Sequence, residues 1–107
     1  MQSKTLVNTL TDGATVAVDF SISQNHKLTA AGNRTLTFSN PQEGEYYNIT
    51  IIQDATGSRT ITWPSTVKWA GGSAPTLTTT AVYRDHITFF YDGTYYRDVA
   101  IVKNYAA

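Results

Sequence analysis

Two histidines, His26 and His86, are the only side chains of the sequence able to serve as general bases with an ordinary pKa near neutrality. His86 follows Asp85 in a segment patterned as a strand, where alternation sends neighbouring side chains to opposite faces and so prevents a dyad. Each histidine is read as an ordinary surface or interface residue. Glu43 and Glu45 lie on one loop and can face the same way, as the carboxylates of glycoside cleavage do, yet without a pocket the simpler explanation is solvation. Asp12, Asp19, Asp54, Asp85, Asp92 and Asp98 never reach the dense spacing of a calcium loop. With no cysteine, disulfides, thiolate metal sites and thiol nucleophiles are excluded. The expectation is a non-enzymatic protein with no catalytic residue, metal or cofactor.

Binding chemistry is better represented. Trp63, Trp69, Tyr46, Tyr47, Tyr83, Tyr95 and Tyr96 can supply stacking platforms for a sugar, with the Gly71-Gly72 loop shaping a groove. Core packing or a subunit interface is the competing role for each ring, because tryptophan and tyrosine are enriched at both. In the adjacent pairs Tyr46 and Tyr47, and Tyr95 and Tyr96, the two rings must point to opposite faces of a strand. Tyr46, Trp69, Tyr83 and Tyr96 are the predicted interface or ligand-contact aromatics.

The elements that must carry these residues are strands. Eighteen threonines, seven tyrosines and only three prolines in 107 residues favour a pleated, half-buried backbone. A single domain of this size buries roughly 65% of its unfolded surface. Val16, Val18, Phe20 and Ile22 alternate with Thr15, Ala17, Asp19 and Ser21 to give one half-buried strand. Segments 26–29 and 34–38 form a pair of short strands around Gly32-Asn33, with Leu28, Leu36 and Phe38 in the core. Residues 46–63 read as a hairpin turning on Asp54-Ala55-Thr56-Gly57-Ser58, and residues 87–97 as a second hairpin turning on Asp92-Gly93. In the second, Ile87, Phe89 and Tyr91 share a face. No internal repeat is visible. The predicted architecture is a single antiparallel β-sandwich or barrel-like domain of about eight short strands with little or no helix. It occupies residues 11–107, behind an extended amino-terminal arm at 1–10.

Eight basic and eight acidic residues balance, so the chain lacks the long-range field that draws a protein onto nucleic acid or anionic lipid. Neither a secretory signal nor a membrane anchor is visible at the amino terminus, which implies synthesis in the cytoplasm and no membrane insertion. The glycosylation patterns at Asn33 and Asn48 are therefore read as chance matches.

Four ordered blocks carry a family likeness: Gly32-Asn33-Arg34-Thr35-Leu36-Thr37, then 53–63, then 67–77, and finally Tyr91-Asp92-Gly93-Thr94. From about Leu10 to Ala107 the chain resembles a small β module of tailed bacteriophages and prophages. The resemblance implies a virion protein of the kind found as terminal domains of tail fibres and as short stand-alone structural proteins, often trimeric and without a catalytic signature.

The β pattern starts within about fifteen residues of Met1, leaving no room for a fibre shaft, so the first expectation is a trimeric capsid decoration, or cement, protein docked on the major capsid protein. Multivalent attachment would turn weak single contacts into firm binding. Leu6, Val7 and Leu10 on the arm are the expected docking residues. The alternative is a tail-fibre or baseplate component that contacts tail proteins and recognises host surface polysaccharide.

Overall fold

A computed structural model of the chain describes residues 6–106. Nine strands run through them: β1 (Val7–Thr9), β2 (Thr15–Asp19), β3 (Asn25–Ala30), β4 (Arg34–Ser39), β5 (Tyr46–Gln53), β6 (Ile61–Thr62), β7 (Val67–Lys68), β8 (Arg84–Tyr91) and β9 (Tyr96–Tyr105). One 3₁₀ turn, Ala70–Gly72, is the helical content of the described residues. The all-β class is as expected. The pairing is not: the larger sheet has the order β1-β3-β5-β8-β9-β7 and the smaller β2-β4-β6, and both are built largely from parallel neighbours. Only β5 with β8 and β8 with β9 are antiparallel.

The chain alternates between the two sheets, laying β1, β3 and β5 side by side in one and β2, β4 and β6 in the other. The result is a short coil of three rungs, closed on its later side by the β8–β9 hairpin. Successive rungs lie in register, with Val7 beside Asn25 and Asn25 beside Asn48 in one sheet, and Thr15 beside Thr35 in the other. A repeating architecture is thus present without a sequence repeat, because a rung requires only alternating apolar side chains and a turn at each end.

Two predicted hairpins are corrected by this topology. Segments 26–29 and 34–38 do not pair with each other, since β3 and β4 lie in opposite sheets and face one another across the core. Residues 46–63 likewise form an arch. Both edges of β5 are already taken, by β3 and β8, so β6 crosses to the smaller sheet and joins β4. The crossing is built by Asp54, whose Oδ1 accepts the Thr56 and Gly57 amides at 3.1 and 3.0 Å and whose carboxylate grips Arg59 in a bidentate pair. Gly57, at φ 75°, passes so close to another segment that a Cβ there would meet the Thr79 carbonyl at 2.6 Å. The second predicted hairpin does form. Tyr91 pairs with Tyr96, and Asp92 Oδ1 accepts the Thr94 and Tyr95 amides at 2.9 and 2.7 Å.

Between the sheets, Val16, Val18 and Leu36 meet Leu28, Ala30, Ile49, Ile51, Ile87 and Phe89, with Phe20, Tyr47 and Tyr96 at one end. Ile22 is an exception to the predicted stripe. The strand ends at Asp19, whose Oδ1 accepts the Ser21 amide at 2.9 Å and turns the chain, leaving Ile22 exposed. Leu10 belongs to the core, and Val7–Thr9 of the predicted arm are a strand of the larger sheet. Residues 1–5 of that arm lie outside the described residues.

Candidate functional site

The outer face of the six-stranded sheet is an open surface. β5 lies near its middle, and its even-numbered residues Tyr46, Asn48, Thr50 and Ile52 point away from the core while Tyr47, Ile49, Ile51 and Gln53 point into it. Register then fixes their outer-face neighbours: Tyr46 beside Phe90, Asn48 between Asn25 and Thr88, Thr50 between Lys27 and His86, and Ile52 between Thr29 and Arg84. On β9 the row continues with Arg97, Ala100, Val102 and Tyr105. Polar side chains on this face bridge strands. Asn48 Nδ2 donates to Asn25 Oδ1 at 2.7 Å, Thr88 Oγ1 donates to Asn48 Oδ1 at 2.7 Å, and Thr50 Oγ1 lies 2.8 Å from His86 Nδ1. Tyr46 and Phe90 form a tilted aromatic pair at 5.1 Å at one end, and Tyr105 stands exposed at the other.

The carboxylates on these strands turn elsewhere. Asp85 is buried and accepts the Thr78 and Asn104 amides at 2.6 and 2.9 Å, and Asp98 accepts the Ala70 amide at 2.7 Å. Glu45, at the rim, accepts from Gln24 Nε2 at 2.6 Å. Three arginines are neutralised by ion pairs, Arg34 with Asp12 and Arg59 with Asp54 away from this face, and Arg97 with Asp92 at its Tyr46 end. The partner arginine, together with backbone amides, holds Asp54 at about 2, and backbone amides with Arg97 hold Asp92 at about 2. Among the described residues Lys27, Lys68, Arg84 and Lys103 form no ion pair, and the Arg84 Nε is buried without a hydrogen bond.

Of the predicted contact aromatics, Tyr46 is exposed at 52%. Tyr96 is corrected: at 3% exposure it is a core residue, packed beside Phe38 at 5.0 Å and Tyr91 at 4.7 Å, because β9 begins there with its side chain inward. Burial pushes its hydroxyl well above the usual phenol range. Its neighbour Tyr95 takes the outward position, covered by Lys68 and Arg97 at 5.1 and 5.4 Å from its ring. Trp69 is half-buried against Trp63 and Phe89, and Tyr83 is half-buried just before β8. Tyr47 lies in the core, its hydroxyl accepting the Gln42 amide at 2.8 Å. Leu6 and Val7 are exposed at 82% and 55%. A cavity of about 150 Å³ between Arg59–Ile61 and Pro75–Leu77 is small beside the several hundred Å³ usual for ligand pockets.

His26 was expected to be a surface or interface residue and is instead a buried part of the fold, at 1% exposure. Its Nε2 lies 2.8 Å from the Ser23 carbonyl, which can only accept, so that nitrogen carries the proton and Nδ1 accepts from Asn8 Nδ2 at 3.1 Å. Burial lowers its pKa, partly opposed by the Ser23 carbonyl and by Asp19. The imidazole is therefore neutral in the fold and protonates more readily in the unfolded chain. Stability is complete above the ordinary value of 6.5 and declines as pH falls from there toward the lowered folded value, by at most about 1.4 kcal/mol per pH unit. We expect urea midpoints to fall between pH 7.5 and 5 in the native chain and to stay level in His26→Gln; a level midpoint in the native chain would contradict the neutral assignment. Asp85 and His86, on the other strand the sequence singled out, point to opposite sides as alternation requires.

Among the described residues no group of three histidine or acidic side chains is placed to hold a metal ion. The chain is a β-coil closed by a hairpin, with Gln53 and Asp85 committed to its own backbone and one open face on the larger sheet. The chain matches the family described as "Putative phage tail fibre C-terminal domain" over residues 8–96, and it belongs to that family. It is a phage structural protein, and the family favours the tail fibre over the capsid decoration expected first. Neither the curated proteins nor the solved structures contain a match to the chain.

Proposed function

We propose that this chain forms the outer domain of a tail fibre, acting as a homotrimer that binds host surface polysaccharide and performs no catalysis. The family match over residues 8–96 carries the reading. The open face of the larger sheet supports it, because that face combines exposed rings with amides and hydroxyls held in a fixed grid, the chemistry that saccharides offer and accept. The trimer is implied by the resemblance to fibre modules, in which symmetry covers exposed edges.

Quantitative mass spectrometry of purified virions tests the location. A few copies per particle are expected. An abundance close to that of the major capsid protein would restore the decoration reading, and complete absence from virions would remove both. Sedimentation of the purified protein is expected to give a trimer, and a monomer at micromolar concentration would count against the assembly.

A further inference from the structure

We infer that the outer face of the larger sheet recognises an acidic polysaccharide, through the cations Lys27 and Arg84 with His86 beside them as a hydrogen-bonding group. The inference rests on the receptor-binding reading above and narrows it to a chemical class. Arg84 and His86 share one strand, and Lys27, from a distant part of the sequence, joins them only through register. Lys27 lies beside Thr50, and Thr50 beside His86, so Lys27 and His86 stand two strand spacings apart, about 10 Å between backbones. Arg84 follows on the same strand and face as His86, about 7 Å away. By register they flank Thr50 and Ile52 on the neighbouring strands.

Charge complementarity decides the class of occupant. The whole chain is neutral, and Arg34, Arg59 and Arg97 are neutralised by paired aspartates. Of the four cations that form no ion pair among the described residues, Lys68 lies over the Tyr95 ring and Lys103 donates to the Thr76 carbonyl at 2.9 Å, which leaves Lys27 and Arg84 on this face. No aspartate or glutamate projects from the outer rows of this face, and the two acids on its strands, Asp85 and Asp98, are tied to backbone amides on the other side. A guanidinium meets a carboxylate through parallel hydrogen bonds, and Tyr105, exposed beside Arg84, offers a ring for the sugar that bears it. Tyr46 lies at the far end of the same face, six residues along the strand direction or about 20 Å, which suits an oligosaccharide better than a single sugar. Duplex nucleic acid fits less well, since it requires many phosphate contacts and the neutral chain gives no attracting field.

The test is retention of the purified full chain on immobilised polygalacturonate, neutral dextran and duplex DNA, at low and moderate salt. Lys27→Glu is an exposed surface change, and Arg84→Gln is the second variant, with folding of both checked by thermal melts. The expected result is retention on polygalacturonate only, weakened by salt and reduced about tenfold in Lys27→Glu, the equivalent of about 1.4 kcal/mol. No retention on polygalacturonate, equal retention on dextran, stronger retention on DNA, or unchanged binding in both variants overturns the inference. Amine labelling of Lys27 in the free assembly is expected to proceed; its protection would assign the face to a protein interface and also overturn it. Adsorption to host cells is measured in parallel. Adsorption that persists in both variants leaves the receptor-binding reading standing without this site, whereas failure of the native chain to adsorb removes the receptor-binding reading itself.

Discussion

Phe89→Ala is expected to lower stability by about 3–5 kcal/mol, a large share of the ~5–15 kcal/mol that holds a domain folded. Phe89 is fully buried where the two sheets meet, with the rings of Trp69, Trp63, Phe38 and Tyr96 at 5.5, 5.6, 5.9 and 6.4 Å. Deleting its ring removes edge contacts to four aromatic neighbours at once. Those neighbours cannot collapse into the space, because Trp63 and Trp69 are fixed to the loops on either side of β7 and Phe38 to the smaller sheet. Urea unfolding followed by tryptophan fluorescence reads the loss directly, since both tryptophans border the cavity. A loss below about 1 kcal/mol would mean that the rings repack, and would contradict the rigidity ascribed to the four neighbours of Phe89.

The local patterns that this core depends on were legible in the sequence. The alternation from Thr15 to Phe20 placed Val16, Val18 and Phe20 correctly, and Asp92-Gly93 marked a true hairpin. What local pattern could not distinguish is an arch from a hairpin. In both, two β-rich runs flank a polar turn with a glycine. The difference is whether the second strand pairs beside the first or faces it across the core, and that depends on which edges distant strands have already occupied. For β5 those strands are β3 and β8, the latter more than thirty residues away in sequence. The parallel pairing of β1, β3 and β5 is non-local for the same reason.

The candidate site divides similarly. Alternation correctly required one ring of each tyrosine pair to face outward, and it is Tyr46 and Tyr95 that do so. The choice of Tyr96 was out of phase, which only the start of β9 settles. His26 carried an available signal: it shares period two with Leu28 and Ala30, and all three are buried. The cluster of Lys27, Arg84 and His86 had only half a signal, the spacing of Arg84 and His86 on one strand face. Lys27 joins them through the pairing of β3 with β5 and β5 with β8, which no window of sequence contains.

Gln53→Leu is expected to cost about 2–3 kcal/mol although the two side chains are similar in size, because the loss is of hydrogen bonds to backbone rather than of packing. Gln53 is 2% exposed, and its amide performs the work of a missing strand. Its Oε1 accepts the Arg59 amide at 2.9 Å, while its Nε2 donates to the carbonyls of Arg59 and Thr78 at 3.0 and 2.9 Å. Residues 73–79 have no regular structure, so their backbone depends on such side chains: Gln53 takes the Thr78 carbonyl and Asp85 takes the Thr78 amide. Leucine would leave all three backbone groups without partners, and the arch between β5 and β6 would loosen before the rest of the coil. Trypsin reports this separately from global unfolding. Cleavage after Arg59 should accelerate in Gln53→Leu at temperatures where the circular dichroism of the sheets is unchanged, whereas cleavage that merely tracks the global melt would show that the arch has no independent stability.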